Sequence, residues 1–205
     1  ALMHRERLVN TRFVGITGSN GKTIVKEWAH QLIESEKRSY RSFRSHNSQI
    51  GVALSVWKVR PEDAIAIIEA GISSVGEMEK LEAMIQPDIV ALCHIGDAHD
   101  AGFPNRQAKI EEKLALAKNY AHTICLPAHI PDVVAFIESP EAKWITEGKE
   151  LCFWNAKNSE QSGIDLGIIQ VISSRFNTLA MQSNAMAAAL VALCCDIPPK
   201  TVQIS

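Results

Sequence analysis

One stretch restricts this chain more than any other: Gly15-Ile-Thr-Gly-Ser-Asn-Gly-Lys-Thr23. It follows Arg12–Thr17, which reads as a strand. From Gly21 a helix follows, with Val25, Trp28, Ala29, Leu32 and Ile33 at helical spacing. Gly18 and Gly21 let the backbone curl so that its N–H groups point at phosphate oxygens, and the helix start adds favourable partial charge. Lys22 then reaches the β- and γ-phosphates, and the Thr23 hydroxyl can ligate magnesium. The strict phosphate-loop pattern wants glycine where Ile16 stands. In its strand–loop–helix setting the run predicts a nucleotide site, with a simple turn as the alternative.

The rest of the chain alternates in the same manner, which predicts a mostly parallel sheet flanked by helices. A short strand near Ser39–Arg44 precedes a helix over Gln49–Trp57. Asp63–Ala70 holds the continuous apolar run of a doubly covered strand. A helix over Gly76–Ile85 ends before Pro87, and Asp88–Ile95 is the next buried strand. Arg106–Tyr120 reads as a helix and His122–Leu126 as a strand. Beyond that, Lys143–Trp154 and Ile164–Ser173 read as short strands of a small extra sheet, and Gln182–Cys195 is an Ala-rich helix. The chain stops soon after it with no closing element, which predicts a piece of something longer.

Length and composition limit the alternatives. At 205 residues the chain suits one α/β domain, and 46% hydrophobic against 21% charged residues is a globular balance. A formal net charge of -2 gives no electrostatic reason to expect nucleic acid or an anionic membrane as partner. No apolar run approaches the ~18 residues of a membrane span, and Ala1 to Arg12 is too charged for a secretory signal. The 5 cysteines contain no CxxC pair and read as reduced core thiols of a cytoplasmic protein.

Four more polar residues fall just beyond the C-terminal ends of the proposed strands, where α/β proteins place ligands. Asn47, in His46-Asn-Ser-Gln-Ile-Gly51, is either a helix N-cap or a ligand contact. Glu69 ends an apolar strand downstream of the phosphate loop, well placed for magnesium, although a surface acid would read the same way. His99 lies in a loop between Asp97 and Asp100, which could orient it or assist a metal. Lys113 sits at the edge of the stripe Ile110, Leu114, Ala117, while Glu111 and Glu112 face elsewhere. It is either a lysine whose stem packs while its head finds water or one aimed at the active site.

Together these runs resemble the Mur ligases, ATP-dependent amide-forming enzymes of cell-wall synthesis. Thr17-Gly-Ser-Asn-Gly-Lys-Thr23 is similar to the family's TGxNGKT loop, which also lacks the first glycine. Within the family, Val25-Lys-Glu27, Asn47-Ser-Gln-Ile-Gly51, Glu69-Ala-Gly71 followed by Gly76-Glu77, and His99 with Gly102-Phe103 resemble the branch that adds D-alanyl-D-alanine. Ser183-Asn184-Ala-Met-Ala187 is similar to the family's Asn-Ala helix near the adenine. Two positions depart from the branch: Ala101 stands where a glutamate is usual, and Ser183 where a histidine is usual. The spelling of Asn47–Gly51 and Val25–Trp28 also looks like a subgroup in which the ligase is fused to alanine racemase.

The resemblance implies a middle, ATP-binding domain over 1–205, with precursor-binding N-terminal and Rossmann-like C-terminal domains absent. It implies ATP, two magnesium ions and carbamylation of Lys113 by carbon dioxide. Thr17, Gly18, Ser19, Asn20, Gly21, Lys22, Thr23, Asn47 and Asn184 would contact nucleotide or substrate. Thr23 and Glu69 would hold one magnesium, His99 and Lys113 the second, with Lys22 neutralising phosphate charge. The implied substrates are UDP-N-acetylmuramoyl-tripeptide and D-alanyl-D-alanine, joined through an acyl phosphate, with little or no ligation expected from this chain alone. The rivals are a folate polyglutamate-adding ligase, a phosphate-loop kinase or switch, and a fragment that only binds nucleotide.

Overall fold

The computed structural model describes residues 1–96, 100–155 and 178–200. Its strands are β1 (Arg12–Thr17), β2 (Ser39–Arg41), β3 (Ile65–Glu69), β4 (Ile89–Leu92), β5 (Thr123–Pro127) and β6 (Glu150–Trp154). Its helices are α1 (Leu2–Arg5), α2 (Lys22–Glu34), α3 (Gln49–Lys58), α4 (Met78–Ile85), α5 (Arg106–Leu114), α6 (Pro131–Glu138), α7 (Lys143–Thr146) and α8 (Leu179–Cys194). The strands form one sheet in the order β2-β3-β1-β4-β5-β6, every neighbouring pair parallel.

Alternate residues of a strand point to opposite sides, so each strand feeds two cores. On one side Phe13, Ile68, Val90 and Leu92 meet Val52 and Val56 of α3, Leu81 and Ile85 of α4, and Ile110 and Leu114 of α5. On the other, Val14, Ile16, Ile67 and Ile89 meet Val25, Ala29 and Ile33 of α2 and Ala188 and Val191 of α8. Cover on both faces explains why β3 runs Ile65-Ala-Ile-Ile-Glu69 with every residue buried. Among the described residues, no helix is long and apolar enough to cross a membrane.

The elements expected up to Leu126 are present, with trimmed ends. The helix expected from Gly76 begins at Met78, because Gly76 has a left-handed φ of 83°. The helix expected over Arg106–Tyr120 leaves α geometry after Leu114 and tightens into a 3₁₀ turn over Ala115–Ala117. Three short helices, α1, α6 and α7, were not anticipated. The expected small extra sheet needs correction. Lys143–Thr146 is helical, and Gly148 at φ 73° turns the chain into β6, which joins the main sheet with Cys152 opposite Cys125. Leu151 and Phe153 pack on one core, Cys152 and Trp154 on the other, so this strand is covered on both faces. The other half of that expectation, Ile164–Ser173, lies outside the described residues.

The topology prepares a site. β2 and β3 lie on one side of β1, and β4, β5 and β6 on the other. Parallel strands end on a common rim, and ligands collect there where strand order reverses. The loops after β1, β3 and β4 leave from that place.

Candidate functional site

The loop after β1 is built to leave its backbone open. Gly18 and Gly21 hold φ values of 142° and 85°, a region L side chains rarely adopt. Gly21 caps α2, and a Cβ there would lie 2.4 Å from Asn184 Oδ1. α8 therefore brings Asn184 directly against the phosphate loop. The Ser19 amide donates to the His94 carbonyl at 2.6 Å, and its hydroxyl to the Gly96 carbonyl at 3.2 Å, which fastens the loop to the segment after β4. Lys22 Nζ folds back on the Gly18 and Ser19 carbonyls at 2.8 and 3.1 Å. Burial pushes this amine below the usual lysine range, with Glu69 opposing the shift. Thr17 Oγ1, at the base of the loop, is buried and has no hydrogen-bond partner among the described residues. A glycine cradle with an orphaned hydroxyl beneath it fits an anionic ligand.

Glu69 is the hub of the rim. It is 1% exposed, and its two oxygens take Thr23 Oγ1 at 2.8 Å and Asn47 Nδ2 at 2.7 Å. Its amide donates to Ser42 Oγ at 3.1 Å, and Lys26 Nζ lies 3.7 Å from its Oε2. The structure thus joins Thr23, Glu69 and Asn47, three residues singled out from separate motifs. Ser48, not Asn47, is the N-cap of α3, which leaves the Asn47 side chain for Glu69. Among the described residues no group of three His, Cys, Asp or Glu side chains could hold a metal ion. A magnesium ion would take mixed donors here, hydroxyl and carboxylate oxygen completed by phosphate and water, which is the set that ion favours.

Lys113 lies on α5 with 2% exposure, and its Nζ sits 5.9 Å from the centre of the Phe103 ring. Its pKa is pushed down to about 8, first by burial, then by the charges of Lys22 and Lys109, against Glu112. At this exposure the Lys113 amine does not reach out to water as a snorkelling head would. Glu112 does not simply face solvent either. Its Oε1 accepts from the Gly76 and Met78 amides at 2.8 and 3.0 Å, anchoring the start of α4. His99 and Asp97 lie outside the described residues.

Two lysines had no role assigned from the sequence, although Lys26 lies in the run Val25-Lys-Glu27. Lys109 is 1% exposed, one turn before Lys113, and donates to the Gly96 carbonyl that also accepts from Ser19. Lys26 is fully buried beside Glu69. Ser183 Oγ lies 3.2 Å from Nε2 of His129, in the loop after β5. A cleft of about 490 Å³ opens beside Gly18 and Lys22, between Asn47–Ile50 and Gly71–Ser73.

Comparison with known proteins follows the same lines. The chain is 38% identical over 100 residues to the UDP-N-acetylmuramoyl-tripeptide–D-alanyl-D-alanine ligase of Borreliella burgdorferi, covering 49% of this chain and 22% of that protein. Against the ligase of the same name from Bacillus subtilis, identity is 32% over 108 residues, 53% of this chain and 24% of that one. Against that of Buchnera aphidicola it is 26%, over 94% of this chain and 45% of the relative. The chain spans less than half the length of these relatives. Among solved structures, MurF from Acinetobacter baumannii aligns with a TM-score of 0.80 at 17% identity, covering 98% of this chain and 46% of that one. MurF from Thermotoga maritima, solved in complex with ADP, aligns with a TM-score of 0.64 at 25% identity, covering 76% and 36%. The profile of the Mur ligase middle domain matches residues 16–192. With that match running through most of the chain, on the fold those ligases share, the chain belongs to the Mur ligase family.

Proposed function

We propose that this chain is the ATP-binding part of a cytoplasmic ligase that adds D-alanyl-D-alanine to UDP-N-acetylmuramoyl-tripeptide. The observation that carries the reading is the joined set Thr23–Glu69–Asn47 at the foot of a glycine cradle. It rests on relatives of that name and on the ADP complex of a neighbour. The precursor and dipeptide sites, and the flanking domains that would clamp them, belong to the parent chain in this reading.

In the proposed reaction the precursor's terminal carboxylate attacks the γ-phosphate of ATP, releasing ADP and leaving an acyl phosphate. The amine of D-alanyl-D-alanine then attacks the acyl carbon, phosphate departs, and the amine proton passes to solvent or a base. Amide formation from a carboxylate is uphill in water, and the mixed anhydride makes it proceed. Catalysis here is positioning and charge neutralisation. Lys22, here on the Gly18 and Ser19 carbonyls, would neutralise the β- and γ-phosphates. Thr23 and Glu69 would hold one magnesium ion, and His99 with a carbamylated Lys113 a second. Magnesium supplies charge stabilisation at the transferring phosphoryl oxygens. The depressed pKa of Lys113 suits carbamylation, which needs a neutral amine. The cleft beside Lys22 would admit the carboxylate end of the precursor.

The test is Lys113→Ala in the parent enzyme, with ADP release followed for ATP, precursor and D-alanyl-D-alanine. Turnover should collapse by a factor on the order of 100 or more and partly return with added short carboxylates. Unchanged turnover would remove the carbamate from the account. Turnover with a folate and glutamate in place of the cell-wall substrates would move the chain to another branch of the family.

A further inference from the structure

Val25-Lys-Glu27, the run that follows the phosphate loop, has no part in the reaction described above. Lys26 is three residues after Thr23, so both side chains meet the sheet on one face of α2. Its side chain is 0% exposed. A lysine is kept from water only where its ammonium finds partners. Here they are the Arg44 carbonyl, Glu27 Oε1 at 3.3 Å and Glu69 Oε2 at 3.7 Å.

These partners belong to separate parts of the rim. Arg44 lies in the loop between β2 and α3 with φ 48°, a conformation a non-glycine residue keeps only where its surroundings fix it. Glu27 also accepts from Arg41 Nε at 2.5 Å, which straps the end of β2 to α2. The strapped loop then delivers two groups to Glu69: Ser42 Oγ for its amide and Asn47 Nδ2 for its carboxylate. The Asn47 carbonyl accepts from the Gly71 amide at 2.9 Å, so the loop after β3 is tied in as well.

We infer that Lys26 is a positioning residue for the metal-binding carboxylate: by holding the Arg44 carbonyl and Glu69 together, it seats the loop that carries Asn47 and fixes the direction in which Glu69 presents its oxygens. This rests on the reading of Thr23 and Glu69 as magnesium ligands. A purely electrical role would carry the opposite sign. An ammonium so close to a carboxylate repels an incoming dication, so its removal would then strengthen metal binding.

The experiment titrates this chain with ATP, with magnesium and with the metal chelated, for the wild type, Lys26→Met and Glu27→Gln. Glu27 is 33% exposed, so its variant cuts the strap from the solvent side and folds even if Lys26→Met does not. Lys26→Met should lose about tenfold or more of the magnesium-dependent gain in ATP affinity, the usual cost of removing a partner that orients a metal ligand. Affinity for metal-free ATP should stay as in the wild type. Glu27→Gln should show the same split, smaller in size. Without nucleotide, hydrogen exchange at the Gly71 amide should quicken in both variants while the core amides of β1 stay protected. A magnesium gain that is unchanged or larger in a folded variant, or unchanged exchange at Gly71, overturns the inference. A wild type that shows no magnesium gain brings down the magnesium reading itself, and the inference with it.

Discussion

Gly21 holds a φ of 85°, a conformation in which any L side chain is strained, and a Cβ there would also push aside Asn184 Oδ1, which it would meet at 2.4 Å. Gly21→Ala should therefore lower stability by about 1–3 kcal/mol in urea unfolding and weaken ATP binding in the same preparation. A variant with wild-type stability would mean that the loop relaxes freely. Lys113 allows a test by pH. Burial pushes its amine down to about 8 in the folded chain, from the ordinary lysine value of 10.5. Between these values the unfolded chain binds the extra proton, so this group makes stability rise as pH climbs through that window. Below about pH 8 both states are protonated and the burial penalty is fully present. Lys113→Met should shrink the rise in unfolding free energy between pH 8 and 10, and an unaltered slope would show the amine to be better solvated than its burial implies. Lys22 and Glu69 could be singled out because each stands in a recognisable run, and Lys113 because it sits at the edge of an apolar stripe. Lys26 also stands in such a run, Val25-Lys-Glu27, yet neither it nor Lys109 could be read as buried. A lysine among helix charges looks like part of a solvated face, and only packing against another element reveals that it is buried.

Legibility among the elements followed cover and length. β1, β3 and β4 are apolar on both faces and flanked by clear turn residues, so each showed as a run. β6 did not. Its Glu150-Leu-Cys-Phe-Trp154 is an edge strand with one exposed end, and the sequence cannot tell whether such a strand extends the main sheet or starts another. α6 was missed because a helix of 8 residues shows only Val133, Phe136 and Ile137 as its buried stripe. β3 carries the most consequence, since it lies between β1 and β2 and ends in Glu69. Ile67→Ala, at a fully buried position in its middle, should cost about 2–5 kcal/mol by the loss of transferred surface and the cavity left behind. Urea denaturation measures this. A cost below about 1 kcal/mol would mean that α2 and α8 close over the gap.

For the molecule as a whole, one sheet rim gathers the Gly18–Thr23 loop from β1, Glu69 from β3, and Lys109 and Lys113 from the helix after β4. This convergence comes from the reversal of strand order around β1, which sends successive loops to opposite sides of a shared edge. It was readable in outline because alternating elements imply a parallel sheet, and parallel strands end together. The order of the strands, and with it which loops become neighbours, needed the coordinates. The central claim is therefore spatial, and diffraction from crystals of this chain grown with magnesium and a non-hydrolysable ATP analogue tests it most directly. The account predicts β- and γ-phosphates in the Gly18–Thr23 turn, Lys22 moved onto them, and a metal between Thr23 Oγ1 and Glu69. A triphosphate bound elsewhere, with Thr23 still hydrogen-bonded to Glu69 and Lys22 still on its own loop, would contradict it.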